Sequence, residues 1–115
     1  MRLGERIYYC KKKDGVEEYE APIPITLRFN DFTLMATRGF SDIEIYGTEI
    51  TNYYTAYAKL SKWGNNLFRE GDKFYVDYAK PSVDEENYGD KANARIDSII
   101  YDNLFIKIMI KKLVA

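Results

Sequence analysis

Hydrophobic and polar positions alternate at period two along most of the chain, and short turn signals separate the alternating runs. That pattern predicts strands rather than helices. Ile7-Tyr8-Tyr9-Cys10 and Val16-Glu17-Glu18-Tyr19 flank Lys11-Lys12-Lys13-Asp14-Gly15. Asp14-Gly15 tolerates the positive φ of a hairpin turn, so residues 5–20 are expected to form a hairpin with a charged tip. From Ala21 to Phe29 the residues Ile23, Ile25, Leu27 and Phe29 fall on one face. Pro22 and Pro24 have no N–H to give to a ladder, which places this strand's start at a sheet edge or just outside it. Residues 30–52 are irregular. Asp42–Tyr46 alternates as a strand or extended loop would, yet Ser41-Asp42 followed by Glu44 also fits a short helical turn. Between Thr51 and Leu60 one face carries Tyr54, Ala56, Ala58 and Leu60, and the other Tyr53, Thr55, Tyr57 and Lys59.

Ser61–Asn66 has loop composition, and Glu70-Gly71-Asp72 is a tight turn that launches a strand from Lys73 to Tyr78. Ala79–Lys91, with Pro81, Gly89 and several carboxylates, is expected to be a solvent-exposed loop. Ala92–Tyr101 and Leu104–Val114 read as a hairpin closed by Asp102-Asn103 and placed at the centre of the sheet. Alternation breaks at Leu104-Phe105-Ile106, which is apolar at every position. Seven or eight short strands in so small a chain are expected to close on themselves or form two packed sheets, because a long open sheet would leave exposed edges. The expected fold is therefore all-β and mainly antiparallel: a small β-barrel or β-sandwich with long loops, and a single domain over 1–115.

Composition agrees and narrows the chemistry. With 115 residues there is room for one core, and the 16% aromatic share, including 11 Tyr, suits strands. The formal charge of −1 supplies no excess of cations to drive sequence-independent nucleic-acid binding. The absence of His removes the usual general base and the Ser-His and Cys-His nucleophile pairs. One Cys, Cys10, allows neither an internal disulfide nor a cysteine zinc site, in keeping with a reducing, cytosolic origin. No signal-peptide h-region or membrane-length apolar stretch is present in the sequence.

Few residues present themselves for chemistry. The acidic run Asp84–Asp90 places Gly89 where a calcium loop beginning at Asp84 needs its glycine. Tyr88 then stands at a ligand position and Arg95 where the bidentate Glu belongs, so no metal and no cofactor are expected. The 7 glycines are dispersed and build no phosphate cradle. Lys11–Lys13 and the Tyr-rich run 53–57 could serve a small barrel that binds single-stranded nucleic acid, but Asp14, Glu17, Glu18 and Glu20 offset those lysines locally. Trp63, the only Trp, sits in a loop and is either a packing residue or a contact anchor.

Asp42–Gly47, Phe68–Val76, Pro81, Tyr88–Ile96 and Asn103–Lys112, in that order and spacing, resemble the head-to-tail connector proteins of tailed bacteriophages, the head-closure or stopper class. The resemblance runs over roughly residues 1–113. It implies a small β-barrel without catalytic function, assembled in the host cytoplasm as a homo-oligomeric ring in the virion neck. Such a ring lies beneath the portal and adaptor proteins, closes the DNA channel and docks the tail. Genomic DNA would pass through it without sequence-specific binding, and no membrane is involved. A ring subunit of this kind needs exposed tips for its neighbours. The candidates are Lys12 and Asp14 in the charged hairpin, Phe40 and Tyr46 in the irregular segment, and Trp63 and Phe68 in the loop 62–68. A tail-completion or terminator protein, also small and ring-forming, is the alternative from the same setting, and a nucleic-acid-binding barrel is the alternative from a different class.

Overall fold

The computed structural model describes residues 4–36, 53–64, 66–82 and 85–113. They form seven strands, β1 (Arg6–Cys10), β2 (Ile23–Thr26), β3 (Phe32–Ala36), β4 (Tyr53–Lys59), β5 (Lys73–Tyr75), β6 (Ala94–Tyr101) and β7 (Phe105–Lys112), with one helical turn, α1 (Leu60–Trp63). All seven belong to one sheet in the order β2-β1-β5-β6-β7-β4-β3, and every neighbouring pair is antiparallel. The β6–β7 hairpin occupies the middle, as its long alternating runs predict.

The sheet rolls into a nearly closed barrel. Its two edge strands, β2 and β3, are consecutive in sequence and joined only by residues 27–31. A flat sheet would hold those edges five strands apart, so the short connection can be made only if the sheet curls. The corner is wired internally: Asn30 N and Phe29 N donate to Thr26 O, Arg28 N donates to Phe32 O at 2.8 Å, and the Asn30 side chain accepts from Thr26 N at 2.7 Å. Arg28 and Asp31 take positive φ of 70° and 53° to make the reversal. Tighter coiling also comes from a bulge between Ile96 and Ser98, where the β6–β7 register shifts by one residue.

Inward positions line up across the strands. Phe32 faces Ala58, which faces Ile106; Leu34 faces Ala56, which faces Ile108; Phe74 faces Ala94. Placing a methyl between two bulky neighbours lets a tightly curved wall fill its interior without overlap. Ile7, Tyr9, Ile25, Leu27, Phe68, Ile96 and Ile110 complete a continuous core. The rings of Tyr9, Phe32, Phe68 and Phe74 meet in tilted contacts of 5.0–6.0 Å at its centre.

Five local expectations are corrected. Residues 16–19 form no strand: β1 pairs with β2 and β5, and the 11–20 hairpin holds only a Lys12–Tyr19 bridge with Lys13 N to Glu18 O and Glu20 N to Lys11 O bonds. Val16 is its one apolar residue besides Tyr19, too little to bury a strand. The β2 alternation ends at Leu27, so Phe29 is exposed on the corner. Leu60 leaves the β4 face to start α1. β5 stops at Tyr75 because Asp77 and Tyr78 adopt positive φ; beyond it the Asn93 side chain pairs with both Val76 backbone groups at 2.8 Å, standing in for a strand. The β6–β7 turn falls at Asn103-Leu104, one residue later than Asp102-Asn103, since Asp102 N already bonds Phe105 O at 2.9 Å. The alternating run Asp42–Tyr46 lies outside the described residues.

Ile108 is fully buried between Ala56 and Ile99 on the two central neighbours. Ile108→Ala is expected to lower unfolding free energy by about 3 kcal/mol, read from the urea midpoint.

Candidate interaction surfaces

The loops at one mouth of the barrel are organised by a carboxylate. Asp72 is 0% exposed and accepts three hydrogen bonds, from Tyr9 OH at 2.5 Å, Lys12 N at 2.8 Å and Arg69 N at 2.9 Å. Asp is suited to this place because it offers acceptors only, and all three groups facing it are donors. The Lys11 ammonium donates to Leu67 O and Tyr19 OH to Gly71 O at 3.1 Å, so the 11–20 hairpin lies fastened along the 67–72 segment. Tyr101 OH reaches Phe68 O at 3.2 Å and Leu60 N reaches Leu104 O at 2.9 Å, which brings the β6–β7 tip and α1 to the same mouth.

The sequence-selected residues fall into three groups. Lys12 acts here through its backbone, while its ammonium pairs with Glu17 at 3.2 Å; Asp14 pairs with Arg69 at 2.9 Å on the exposed tip. Surface pairs of this kind contribute little to stability. Trp63 and Phe68 come together, their ring centres 5.5 Å apart. Trp63 Nε1 donates to Asn30 O at 3.0 Å and Asp31 O at 3.2 Å, tying α1 to the β2–β3 corner. Trp63 is half-buried, and Phe68 at 1% exposure is a core residue with no face to offer a neighbour. Phe40 and Tyr46 lie outside the described residues.

Two apolar features were not among those residues. On the β3–β4–β7 wall a groove of about 310 Å³ is lined by Arg28, Thr33, Tyr57, Lys59 and Phe105. An adjoining hollow of about 260 Å³ lies between Lys59–Ser61 and Asn103–Phe105. Leu104 and Phe105, 70% and 47% exposed, form the ridge beside both. The break in alternation at Leu104-Phe105-Ile106 was a partial signal: with Ile106 facing inward, alternation turns Phe105 outward, whereas Leu104 is exposed because it lies in the turn.

The β1–β5 wall is covered differently. Residues 85–91 fold across it, with Tyr75 OH donating to the Glu85 carboxylate at 2.8 and 2.9 Å and the Lys73 ammonium to Gly89 O at 3.3 Å. Gly89 has φ +84° and lies against the Tyr19 ring and the Lys73 stem, where a Cβ would come within 3.3 Å of Tyr19. The segment is a loop with Glu86, Asn87, Tyr88, Asp90 and Lys91 exposed, as expected, while its inner side lies over the buried Tyr75 and Cys10. Burial, reinforced by the Glu85 charge and opposed by Lys73, pushes the Cys10 thiol from its ordinary 9.0 up to about 11. Burial and the neighbouring carboxylates likewise raise the phenols of Tyr9 and Tyr75.

The far mouth is closed by Tyr54, whose OH donates to both Asp77 oxygens at 2.6 and 2.8 Å. Lys112 pairs with the same carboxylate at 3.4 Å and lies over the Tyr54 ring at 4.5 Å. Among the described residues no group of three or more Asp, Glu or Cys is placed to hold a metal ion, and no helix is long and apolar enough to cross a membrane. No family model matches the chain, and neither the curated proteins nor the solved structures contain a significant match to it.

Asp72→Asn places an amide N–H where an acceptor is needed and is expected to cost about 3 kcal/mol, against about 1 kcal/mol for Tyr9→Phe, measured by chemical unfolding. Alkaline pH should weaken the fold. The unfolded Cys10 thiol loses its proton near pH 9.0 and the folded one only near 11, so its contribution is whole below the first value and lost as pH rises through the second. The urea midpoint is expected to hold steady up to pH 9.0 and fall on the way to 11, and Cys10→Ala should reduce that fall.

Proposed function

We propose that this chain is a structural, non-enzymatic ring subunit of a tailed-phage neck, of the head-closure type. It sits below the portal and adaptor proteins, and the tail docks on its other side. The observation that carries this reading is the pair of unlike walls on one small barrel. The β3–β4–β7 wall presents an apolar ridge and groove at Leu104, Phe105 and Tyr57, whereas the β1–β5 wall presents the 85–91 loop with Tyr88 exposed among Glu86 and Asp90. A closed ring built from one kind of subunit uses heterologous contacts, in which two different surfaces of the same chain meet, and unlike walls on different sides of a barrel supply them. Contact anchors in such interfaces are exposed aromatic and aliphatic side chains beside a groove. The sequence resemblance to connector proteins supports the same role, and the fully buried hydrogen-bonded core makes the barrel a rigid unit for assembly. DNA would cross the ring as cargo, and the site of action would be the virion neck.

Deletion of the gene is expected to leave DNA-filled heads that leak or fail to join tails. A virion map should place the chain as a ring between portal and tail. Leu104→Asp and Phe105→Asp are expected to leave the melting temperature of the isolated chain nearly unchanged while cutting infectious particles by about tenfold or more. Normal titres from the deletion strain, or a neck without this chain, would refute the role.

A further inference from the structure

A third feature borders the β1–β5 wall. Where the 11–20 hairpin passes β5 and β6, a pocket of about 250 Å³ is lined by Lys12, Glu17, Tyr19, Lys73, Arg95 and Leu113. Its charged lining is three cations and one carboxylate. Glu17 is 82% exposed and held only by its pair with Lys12, a solvent-side contact that an incoming ion can displace. The Asp72 carboxylate lies beneath, fully buried, with its oxygens occupied by Tyr9, Lys12 N and Arg69 N.

One of the cations is held in place by the fold. The Lys73 ammonium is fixed from one side by Gly89 O at 3.3 Å and lies 4.7 Å from the centre of the Tyr19 ring. That uses one of its three donors. The Arg95 side chain has no hydrogen-bond or ion-pair partner among the described residues, and its five donors are open. By register Arg95 stands directly opposite Lys73 on β5. Like charges directly across a ladder oppose pairing. This arrangement therefore carries a repulsion that a bound anion would relieve.

We propose that this pocket is a binding site for a phosphate oxyanion. Three cationic arms converge from three chain segments, the 11–20 hairpin, β5 and β6. A tetrahedral ion can receive all three on separate oxygens, with the Arg95 fork spanning two of them. The oxyanion can come from a free phosphate ester or from a nucleic-acid backbone. The site depends on neither the neck assignment nor a ring, since all its residues come from one chain.

At 13.5 kDa the protein suits solution NMR. Inorganic phosphate, titrated at constant ionic strength against a chloride control, is expected to shift the amides of Gly71, Lys73 and Arg95 saturably and to raise the melting temperature. Arg95→Gln and Lys73→Gln are each expected to weaken binding about tenfold. Arg95→Gln should leave the melting temperature without phosphate unchanged or higher, because it removes a like-charge neighbour, whereas a merely structural Arg95 would lower it. Lys62→Gln, a charge change on α1, should have no effect on binding. A single-stranded oligonucleotide that shifts the same amides, with the loss on Arg95→Gln, would identify the backbone as a source; a nucleoside monophosphate doing so alone would identify the free ester. Shifts that do not saturate, that chloride reproduces, or that map away from the pocket would overturn the proposal, as would unchanged affinity in Arg95→Gln.

Discussion

Everything in this fold depends on joining the two edges of the sheet through the corner at residues 27–31. Because β2 and β3 are at once the outermost strands and consecutive in the chain, the sheet has to roll until they approach. Rolling turns one face into an enclosed interior and the other into a continuous outer wall. The prolines of β2, the Trp63 bond to the corner carbonyls and the positive φ at Arg28 and Asp31 all act at this seam. They also solve the edge problem locally, since an edge strand carrying Pro24 and a corner capped by α1 offer little backbone to a stray strand.

A curled seven-stranded wall is small, and its interior is filled by pairing bulk with methyl groups across the strands. The aromatic cluster of Tyr9, Phe32, Phe68 and Phe74 then requires one polar concession, the Tyr9 hydroxyl. Asp72 accepts it, and the same carboxylate gathers Lys12 N and Arg69 N. Core packing and loop placement are therefore one problem: the group that satisfies the buried phenol also fixes the 11–20 hairpin. At the opposite mouth Tyr54, Asp77 and Lys112 repeat the device with a phenol, a carboxylate and an ammonium.

With the interior closed in this way, the outer wall is free to differ from place to place. The apolar ridge at Leu104 and Phe105 lies over β7 and β4, the 85–91 loop over β1 and β5, and the cationic pocket at Lys73 and Arg95 between the hairpin and β6. Each is a loop, turn or hairpin laid against the strands of the barrel.

The period-two pattern, the proline-marked edge and the turn signals at Asp14-Gly15 and Glu70-Gly71-Asp72 were sufficient to indicate an antiparallel all-β fold, barrel or sandwich, with the β6–β7 hairpin at its centre; closure into a barrel was decided by the tertiary structure. These are local properties: alternation decides which side chains can share a face, and proline and glycine decide where the ladder must stop. Partner choice among strands was not legible, because β1 bonds to β2 and β5 rather than to the residues just after it, and only long-range burial decides that. Nor was it legible that Phe68 is core, that a carboxylate-rich segment covers Cys10 and Tyr75, or that Lys73 meets Arg95 across two strands. Hydrophobicity in sequence reports what a side chain favours, whereas exposure and charge proximity depend on which distant segments are folded against it, and the closure of the barrel alone sets those.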